Sequence, residues 1–261
     1  LKKEVEIEEI SIRNATFDTR DFIDGIVVSG HLGELFLESH GVVFSPETAR
    51  INEFSVKNTD VSLTLGSIES TDTVPSEPLY WKILLDEIDF ENVGFALKMP
   101  QDSLFVRTML PKTTLKNGVI DLKEASYYVK SFGIDNAELA YGPKEELFLQ
   151  QIGLQLDSIY YCGKDIRANI EEFVLKERSG LELVSTEGRI VSDSVLIEIP
   201  KFTMKTTASS LDLQTKIGWD VLEMKKTGVL SARINAEIGK GDVAKILGGR
   251  DTLFLQTYPN K

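Results

Sequence analysis

Apolar and polar residues alternate with a period of two along much of the chain. The segment 61–65 reads Val-Ser-Leu-Thr-Leu, and the segment 211–213 reads Leu-Asp-Leu. Such alternation is typical of strands that have one dry and one wet face. The eight prolines fall between the apolar stretches, where a missing N–H costs no hydrogen bond between strands. The pattern predicts an all-β fold.

Sustained helical periodicity is nearly absent. The residues 241–247 predict one short helix, which Asp242 would cap and the pair Gly248-Gly249 would end. A second short helix is predicted at 46–50, because proline is favoured in a first helical turn.

One sequence template recurs four times: apolar, any, apolar, any, Asn, any, any, apolar. Successive copies start 44, 34 and 44 residues apart, which indicates a tandem architecture. The copies start at Ile10, Phe54, Ile88 and Phe132, and their asparagines are Asn14, Asn58, Asn92 and Asn136.

The asparagine of each template stands where the alternation changes phase. The last apolar residue lies an odd number of positions after the first two, so on a regular strand it would point to the opposite face. A bulge or tight turn at the asparagine restores the face, and asparagine tolerates the left-handed backbone that such a feature needs. We therefore predict that the asparagines are structural. We also predict that the apolar template residues share one face: Ile12, Phe17, Phe54, Val56, Ile88, Phe90, Phe95, Phe132 and Ile134, with Leu154 in a looser copy.

Repeats of this kind predict a curved antiparallel sheet that grows by adding similar strands, with at most one or two short helices. A sandwich of duplicated Greek keys fits the same alternation. The polar stretch at 66–78 is interpreted as a flexible loop, and Gly142-Pro143 as a possible break. The prediction is one continuous segment, 1–261, with possible sub-units 1–66, 79–142 and 143–261.

The charge balance narrows the choice of partners. The chain has 41 acidic and 29 basic residues, a net charge of −12 and a pI near 4.8. This argues against nucleic-acid binding and against charge-driven docking on anionic lipid. The single cysteine, Cys162, excludes an internal disulfide.

One cluster has the residue types of a metal site. On a regular strand, Glu34, Glu38 and His40 would share a face and could hold a divalent ion. His31 would point to the other face, so we favour an exposed charged strand and predict no metal.

No other pattern carries a specific chemistry. Asp18, Asp21 and Asp24 have the wrong spacing for a calcium loop, and Cys162 follows two tyrosines in an apolar run, as a packing residue does. There is no phosphate-binding loop and no nucleophile elbow. We therefore predict neither catalytic residues nor a cofactor, and a protein that is not an enzyme.

The segment 173–214 carries a resemblance to a known family. It reads FVLKERSGLELVSTEGRIVSDSVLIEIPKFTMKTTASSLDLQ and resembles the bacterial AsmA/TamB family, particularly the TamB-like proteins of Bacteroidetes-type bacteria. The earlier repeats at 85–104 and 115–142 are similar to the tandem units of the same family. The positions that match the family's phrases are Glu177, Ser179, Gly180, Leu181, Gly188, Asp193, Pro200, Thr206 and Ser209.

The resemblance implies an internal segment of a long periplasmic protein that an N-terminal helix anchors in the inner membrane. It also implies an elongated, curved antiparallel sheet that forms a groove, and that this apolar groove carries phospholipid between the two membranes. One alternative is a structural or chaperone-like module that assists outer-membrane β-barrel proteins by strand pairing. Another is a β-sandwich for adhesion or carbohydrate binding.

Overall fold

The computed structural model describes residues 4–5, 8–21, 25–44, 47–66, 80–101, 103–224 and 228–246. Within these ranges the chain forms one thirteen-stranded sheet and two short helices, which confirms the predicted all-β curved sheet. The strands are β1 Glu4–Val5, β2 Glu9–Asp21, β3 Ile26–Phe44, β4 Glu47–Thr64, β5 Lys82–Met99, β6 Leu104–Asp121, β7 Ser126–Tyr141, β8 Leu147–Cys162, β9 Asp165–Glu177, β10 Glu182–Ser192, β11 Leu196–Thr206, β12 Ser210–Gly218 and β13 Leu230–Glu237. The helices are α1 Trp219–Leu222 and α2 Lys240–Ile246.

The sheet is a meander in which almost every strand pairs with its neighbours in sequence. β1 and β2 both pair with the same side of β3, and from β3 to β13 the spatial order follows the chain. All pairs are antiparallel except β4 with β5, which is parallel. The parallel pair was not predicted. Residues 67–78, the part of the predicted loop that would connect β4 with β5, lie outside the described residues.

Two local predictions were wrong, and one needs adjustment. The residues 47–50 belong to β4 and not to a helix, because pairing with both β3 and β5 outweighs the weak local helix signal. Pro111 and Pro200 lie inside β6 and β11 and not between strands. α2 is confirmed but begins at Lys240, so that Asp242 does not cap it; Gly248-Gly249 lies outside the described residues.

The four template asparagines adopt the left-handed backbone that the sequence predicts. Their φ angles are 52° for Asn14, 50° for Asn58, 53° for Asn92 and 55° for Asn136. Each interrupts the extended conformation in the middle of a long strand, so the strand bends there.

The pairing register aligns these asparagines across the sheet. Asn58 lies beside Asn92 in the parallel pair, and the Nδ2 of Asn92 donates a hydrogen bond to the Oδ1 of Asn58 at 3.1 Å. On β3 the aligned residue is Gly33, where a Cβ would come within 2.4 Å of the carbonyl oxygen of Asn58. We call this transverse row the first bend line. It comprises Asn14, Gly33, Asn58, Asn92, Pro111 and Asn136.

A second bend line runs six residues from the first. Asn117 and Ser158 have φ angles of 53° and 55°, and the pairing places both in one row. This row comprises Asn52, Asp86, Asn117, Lys130 and Ser158.

Between β4 and β8 the two bend lines divide the sheet into three parts: a narrow floor between the bend lines and a wall on each side. The first wall lies beyond the second bend line and contains 82–85; the second wall lies beyond the first bend line and contains 93–99.

Candidate functional site

A continuous row of apolar residues runs along the floor of the sheet. Residues that are directly paired on neighbouring strands point to the same face, so the register alone defines the row. It crosses the twelve strands from β2 to β13, about 50 Å at the usual strand spacing, and we call it the first floor row. Its members are Ile10, Leu37, Phe54, Ile88, Leu115, Phe132, Leu156, Ile170, Gly188, Phe202, Leu213 and Ile234.

Gly188 is the one member of the first floor row without an apolar side chain. A Cβ at Gly188 would lie 2.8 Å from the ring of Phe202. The ring of Phe202 therefore lies over the glycine. The apolar surface of the row continues across this strand.

A second floor row lies on the same face, two residues away on β2 to β8 and three residues away on β9, where a bulge intervenes. It crosses β2 to β9, and its single hydroxyl-bearing member is Thr113. The row comprises Ile12, Leu35, Val56, Phe90, Thr113, Ile134, Leu154 and Phe173. Between the two rows, the rings of Phe54 and Phe90 meet edge to face at 6.2 Å.

The pairing brings together eight of the ten residues that the sequence selects. Phe54, Ile88 and Phe132 lie in the first floor row. Ile12, Val56, Phe90, Ile134 and Leu154 lie in the second floor row. All eight therefore share one face of the floor.

Phe17 and Phe95 lie on the second wall, beyond the first bend line. The pairing places them in one row, with Gly30 and Val61 between them. The left-handed asparagine between floor and wall reverses the alternation. This puts the row of Phe17 and Phe95 on the same side of the sheet as the floor rows.

Burial on either side of the first bend line shows which side is concave. Val56 and Thr59 flank Asn58 on the apolar side and are only 9% and 2% exposed. On the other side, Asp60 is exposed and Lys57 is half-exposed. A bent sheet shields the inside of the bend, so the apolar side is the concave one.

The second bend line has the same sense. A Cβ at Gly118 would lie 3.2 Å from the Cδ2 of Leu115 and 3.3 Å from the Cβ of Leu85. Leu115 belongs to the floor, and Gly118 and Leu85 belong to the first wall. The two surfaces thus close toward each other on the apolar side, and the sheet forms a trough.

The trough is open and its lining is not covered by other parts of the described chain. Among the described residues, four apolar residues are buried: Val56, Leu85, Ala137 and Ala140. The larger apolar residues of the floor rows remain partly exposed, and Ile12 is 40% exposed. In a closed sandwich, a second sheet would cover such a face.

The convex face of the floor carries charges of alternating sign. One row next to the first bend line reads Arg13, Glu34, Lys57, Glu91, Lys112 and Asp135. Arg13 lies 3.4 Å from Glu34, and Lys57 lies 3.7 Å from Glu91. Opposite charges on neighbouring strands stabilise the register, and they keep the convex face in water.

One carboxylate on this charged face is partly withdrawn from water. Burial raises the pKa of Asp89, and the nearby carboxylate of Glu87 raises it further. The cations of Lys116, Lys112 and Lys57 act in the opposite direction. The surrounding lysines therefore offset the negative charge of Asp89 on the convex side, and its carboxylate does not face the trough.

The candidate metal ligands are not assembled into a site. The carboxylate of Glu34 pairs with Arg13, and the Nδ1 of His31 lies 3.4 Å from the hydroxyl of Thr16. The side chain of His40 lies outside the described part of the molecule. Within the described residues, no group of three or more His, Cys, Asp or Glu side chains is placed to hold a metal ion.

The remaining sequence candidates have structural surroundings. Asp18 binds Arg20 through two hydrogen bonds of 3.1 and 3.2 Å, and Asp24 lies outside the described residues. The Sγ of Cys162 donates to the carbonyl oxygen of Glu124 at 3.6 Å. These residues provide no arrangement of nucleophile, base and orienting group.

Sequence reasoning missed the part of the trough beyond β8. Ile170, Phe202, Leu213 and Ile234 extend the first floor row, yet their strands lack the asparagine template. The strands β9, β10 and β11 contain bulges instead, as at Pro200 on β11. The one signal available in the sequence is the plain alternation of these strands.

No helix among the described residues is both long and apolar enough to cross a membrane. Comparison with known proteins finds no family model that matches the chain and no similar curated protein.

Proposed function

We propose that the trough holds the acyl chains of lipids and that the protein acts by binding and guiding them, without catalysis. The observation that carries the proposal is the first floor row, which is apolar on eleven of its twelve strands. We expect an apolar ligand to lie on a sheet face this long and this apolar, because exposed apolar patches on soluble proteins are normally far smaller.

An acyl chain fits the long, narrow shape of the trough. Moving a lipid tail through water costs about 0.8 kcal/mol for each CH₂ group. A continuous apolar floor removes much of this cost at every position along its length. Because the trough is open on one side, the polar headgroup can stay in solvent while the tail lies on the floor.

The polar pattern of the molecule supports the same function. The charge ladder from Arg13 to Asp135 lies on the convex face, so it does not place charges in the path of a tail. The floor itself offers few polar groups, and the hydroxyl of Thr113 is buried among its neighbours. A surface of this kind discriminates by apolarity and not by specific headgroup contacts.

The biological setting that we propose follows from the resemblance of 173–214 to the AsmA/TamB family. In this setting the chain is a periplasmic segment of a longer envelope protein, and its cargo is phospholipid in transit between membranes. The open, repeat-built trough supports this assignment, since a groove that grows strand by strand can be long enough to bridge a gap.

Site-specific photo-crosslinking tests the proposal. Crosslinkers at Phe90 and Phe132, on the floor, should capture phospholipid from vesicles. Crosslinkers at Lys57 and Glu91 should not, because their ion pair lies on the convex face. Equal capture at both pairs of positions, or capture at none, would contradict the proposal.

Charged substitutions on the floor provide a second test of the proposed function. Phe90→Asp and Phe132→Asp should abolish capture at mid-trough, since an unpaired carboxylate against an acyl chain costs several kcal/mol. Ser131→Asp is the matched control: it adds a carboxylate to the same strand on the convex face, between Lys116 and Asp157. All three variants must keep their β circular dichroism and cooperative melting. If the folded Phe132→Asp variant captures phospholipid normally, the proposal is contradicted.

A further inference from the structure

A pair of tyrosines lies on the first wall of the trough, above the apolar floor. Leu85 and Gly118 of this wall face the trough, and two residues further along the same strands another row faces the same way. The pairing register carries this row across β7, β8 and β9. Its members from β5 to β9 are Ile83, Ile120, Tyr127, Tyr161 and Ile166. Two tyrosines thus lie side by side in a row that is otherwise aliphatic over these strands.

Both tyrosine side chains are accessible from the trough. Tyr127 is 40% exposed and Tyr161 is 45% exposed, and their ring centroids lie 5.9 Å apart with the ring planes tilted by 39°. Neither phenol hydroxyl has a hydrogen-bond partner among the described residues. By contrast, the indole Nε1 of Trp219 donates to the carbonyl oxygen of Asp193 at 2.7 Å. The pair therefore offers partly exposed rings and two free hydroxyls to a ligand.

The height of the pair above the floor matches the position of a lipid headgroup. Tyr127 lies three residues beyond Lys130 of the second bend line, which is about 10 Å along the wall. Apolar groups in contact lie within about 4.5 Å of each other. A tail that contacts Phe132, on the floor of the same strand, therefore lies below the tyrosines. Its headgroup lies toward the open side of the trough and reaches the level of the pair.

The charges around the pair favour one class of headgroup. The two trough-facing rows of the first wall contain no acidic or basic residue from β5 to β8. Further along these strands, Lys82 and Asp121 pair with each other at 3.7 Å on the convex face. A headgroup with a net negative charge therefore finds no counter-charge beside the tyrosines. A zwitterionic headgroup needs none, because its ammonium group binds to aromatic rings and its phosphate accepts hydrogen bonds from phenol hydroxyls.

We infer that Tyr127 and Tyr161 bind the headgroup of a zwitterionic phospholipid whose tails lie on the floor of β7 and β8. The inference rests on the proposed function and adds a basis for selection. The floor binds tails by their apolarity, and the tyrosine pair distinguishes lipids by their headgroups. The pair lies inside the sheet, on strands that have a neighbouring strand on both sides.

Capture of three labelled lipids at one position tests the inference. Labelled phosphatidylcholine, phosphatidylglycerol and diacylglycerol with identical tails are each added in trace amounts to phosphatidylcholine vesicles, so that the vesicle surface is the same for all three. A crosslinker at Phe132, on the strand that carries Tyr127, reports capture by the full 261-residue chain. We expect phosphatidylcholine to be captured several-fold more than either of the other two lipids.

Replacing both tyrosines by leucine should remove this preference. In the double variant Tyr127→Leu with Tyr161→Leu, capture of phosphatidylcholine should fall about three- to tenfold, because the rings and the hydroxyls are both lost. Capture of diacylglycerol should stay unchanged, because the floor is intact. Tyr128→Leu is the matched control, since Tyr128 is 36% exposed on the convex face of the same strand. It should change the capture of none of the three lipids.

A second double variant, Tyr127→Phe with Tyr161→Phe, separates the hydroxyls from the rings. It keeps the ring packing, so its capture of phosphatidylcholine should fall less, by about twofold or more. All variants must keep their β circular dichroism and cooperative melting. If the leucine variant does not fold, the phenylalanine variant decides the test.

Wild-type protein that captures the three lipids equally, or that prefers one of the other two, would overturn the inference and leave the proposed function standing. A folded leucine variant that keeps the wild-type preference would also overturn it, as would the phenylalanine variant where it decides. Capture of none of the three lipids would contradict the proposed function and the inference together.

Discussion

Asparagine at the bend lines illustrates how a single residue type shapes the molecule. A left-handed backbone costs about 1–2 kcal/mol for most residues, and less for asparagine and glycine. The sequence predicted this conformation from a change of phase in the alternation, and the φ angles of Asn14, Asn58, Asn92 and Asn136 confirm it. Ser158 and Gln151 adopt it too, with φ angles of 55° and 53°. No sequence signal marks them: Ser158 lies in the second bend line, and Gln151 lies in a bulge of β8.

Asn136 allows a direct test of this backbone effect. Asn136→Ala should lower the free energy of unfolding by about 1 kcal/mol, whereas Asn136→Gly should leave it nearly unchanged. Asn169 on β9 is the control, since its φ is not positive. There, glycine should be worse than alanine, because glycine weakens an extended strand. The measurement is urea denaturation of the four variants, and the same order of stabilities at both sites would refute the explanation.

At the scale of elements, pairing between strands determined structural features that the local sequence pattern did not predict. The alternation predicted strands correctly, but it could not predict that β4 and β5 would be parallel. Residues 47–50 form a strand because β3 and β5 flank them on both sides. The apolar face of the floor followed from the template, since its members recur at fixed offsets from an asparagine. The part of the floor built by β9–β13 did not follow from the template, because these strands lack it and β9–β11 contain bulges instead.

The carboxylate of Asp242 links α2 to the turn between β11 and β12, which gives an element-level test. Asp242 is only 3% exposed, and it accepts hydrogen bonds from the hydroxyl of Ser209 at 2.6 Å and from that of Thr206. The hydrogen bonds from Ser209 and then Thr206 hold the pKa of Asp242 below its usual value. The folded state thus favours the charged form, and the stabilisation is complete above about pH 4, the usual pKa of aspartate.

We therefore expect acid to release this helix. As the pH falls through the lowered pKa, the carboxylate gains a proton and the stabilisation is lost. Asp242→Asn should lower the amide protection factors of residues 240–246 at pH 7, and wild-type protein should show the same loss once the pH is well below the usual pKa of aspartate, about 4. Asp212→Asn, at an exposed position of β12, is the control and should leave α2 protected. Equal protection in wild type and Asp242→Asn at pH 7 would exclude this anchoring role.

At the scale of the whole molecule, one curved layer separates two surfaces of opposite character. The concave side is apolar over the length of the sheet, and the convex side carries the charge ladder. The sequence predicted a groove of this kind, and the structure shows the curved sheet. That the groove carries lipid stays a prediction, because apolarity and shape are compatible with any long apolar occupant until one is captured.

The net charge of the whole chain gives a last prediction about lipid sources. With a charge of −12, the protein is repelled by anionic vesicles, so at low salt it should extract lipid several-fold more slowly from them than from zwitterionic vesicles. Salt screens this repulsion, since the Debye length falls from about 30 Å at 0.01 M to about 3 Å at 1 M. The two rates, followed with fluorescent lipid, should therefore converge at 1 M salt. Anionic vesicles that remain faster at low salt would mean that a local basic surface, and not the net charge, governs the encounter.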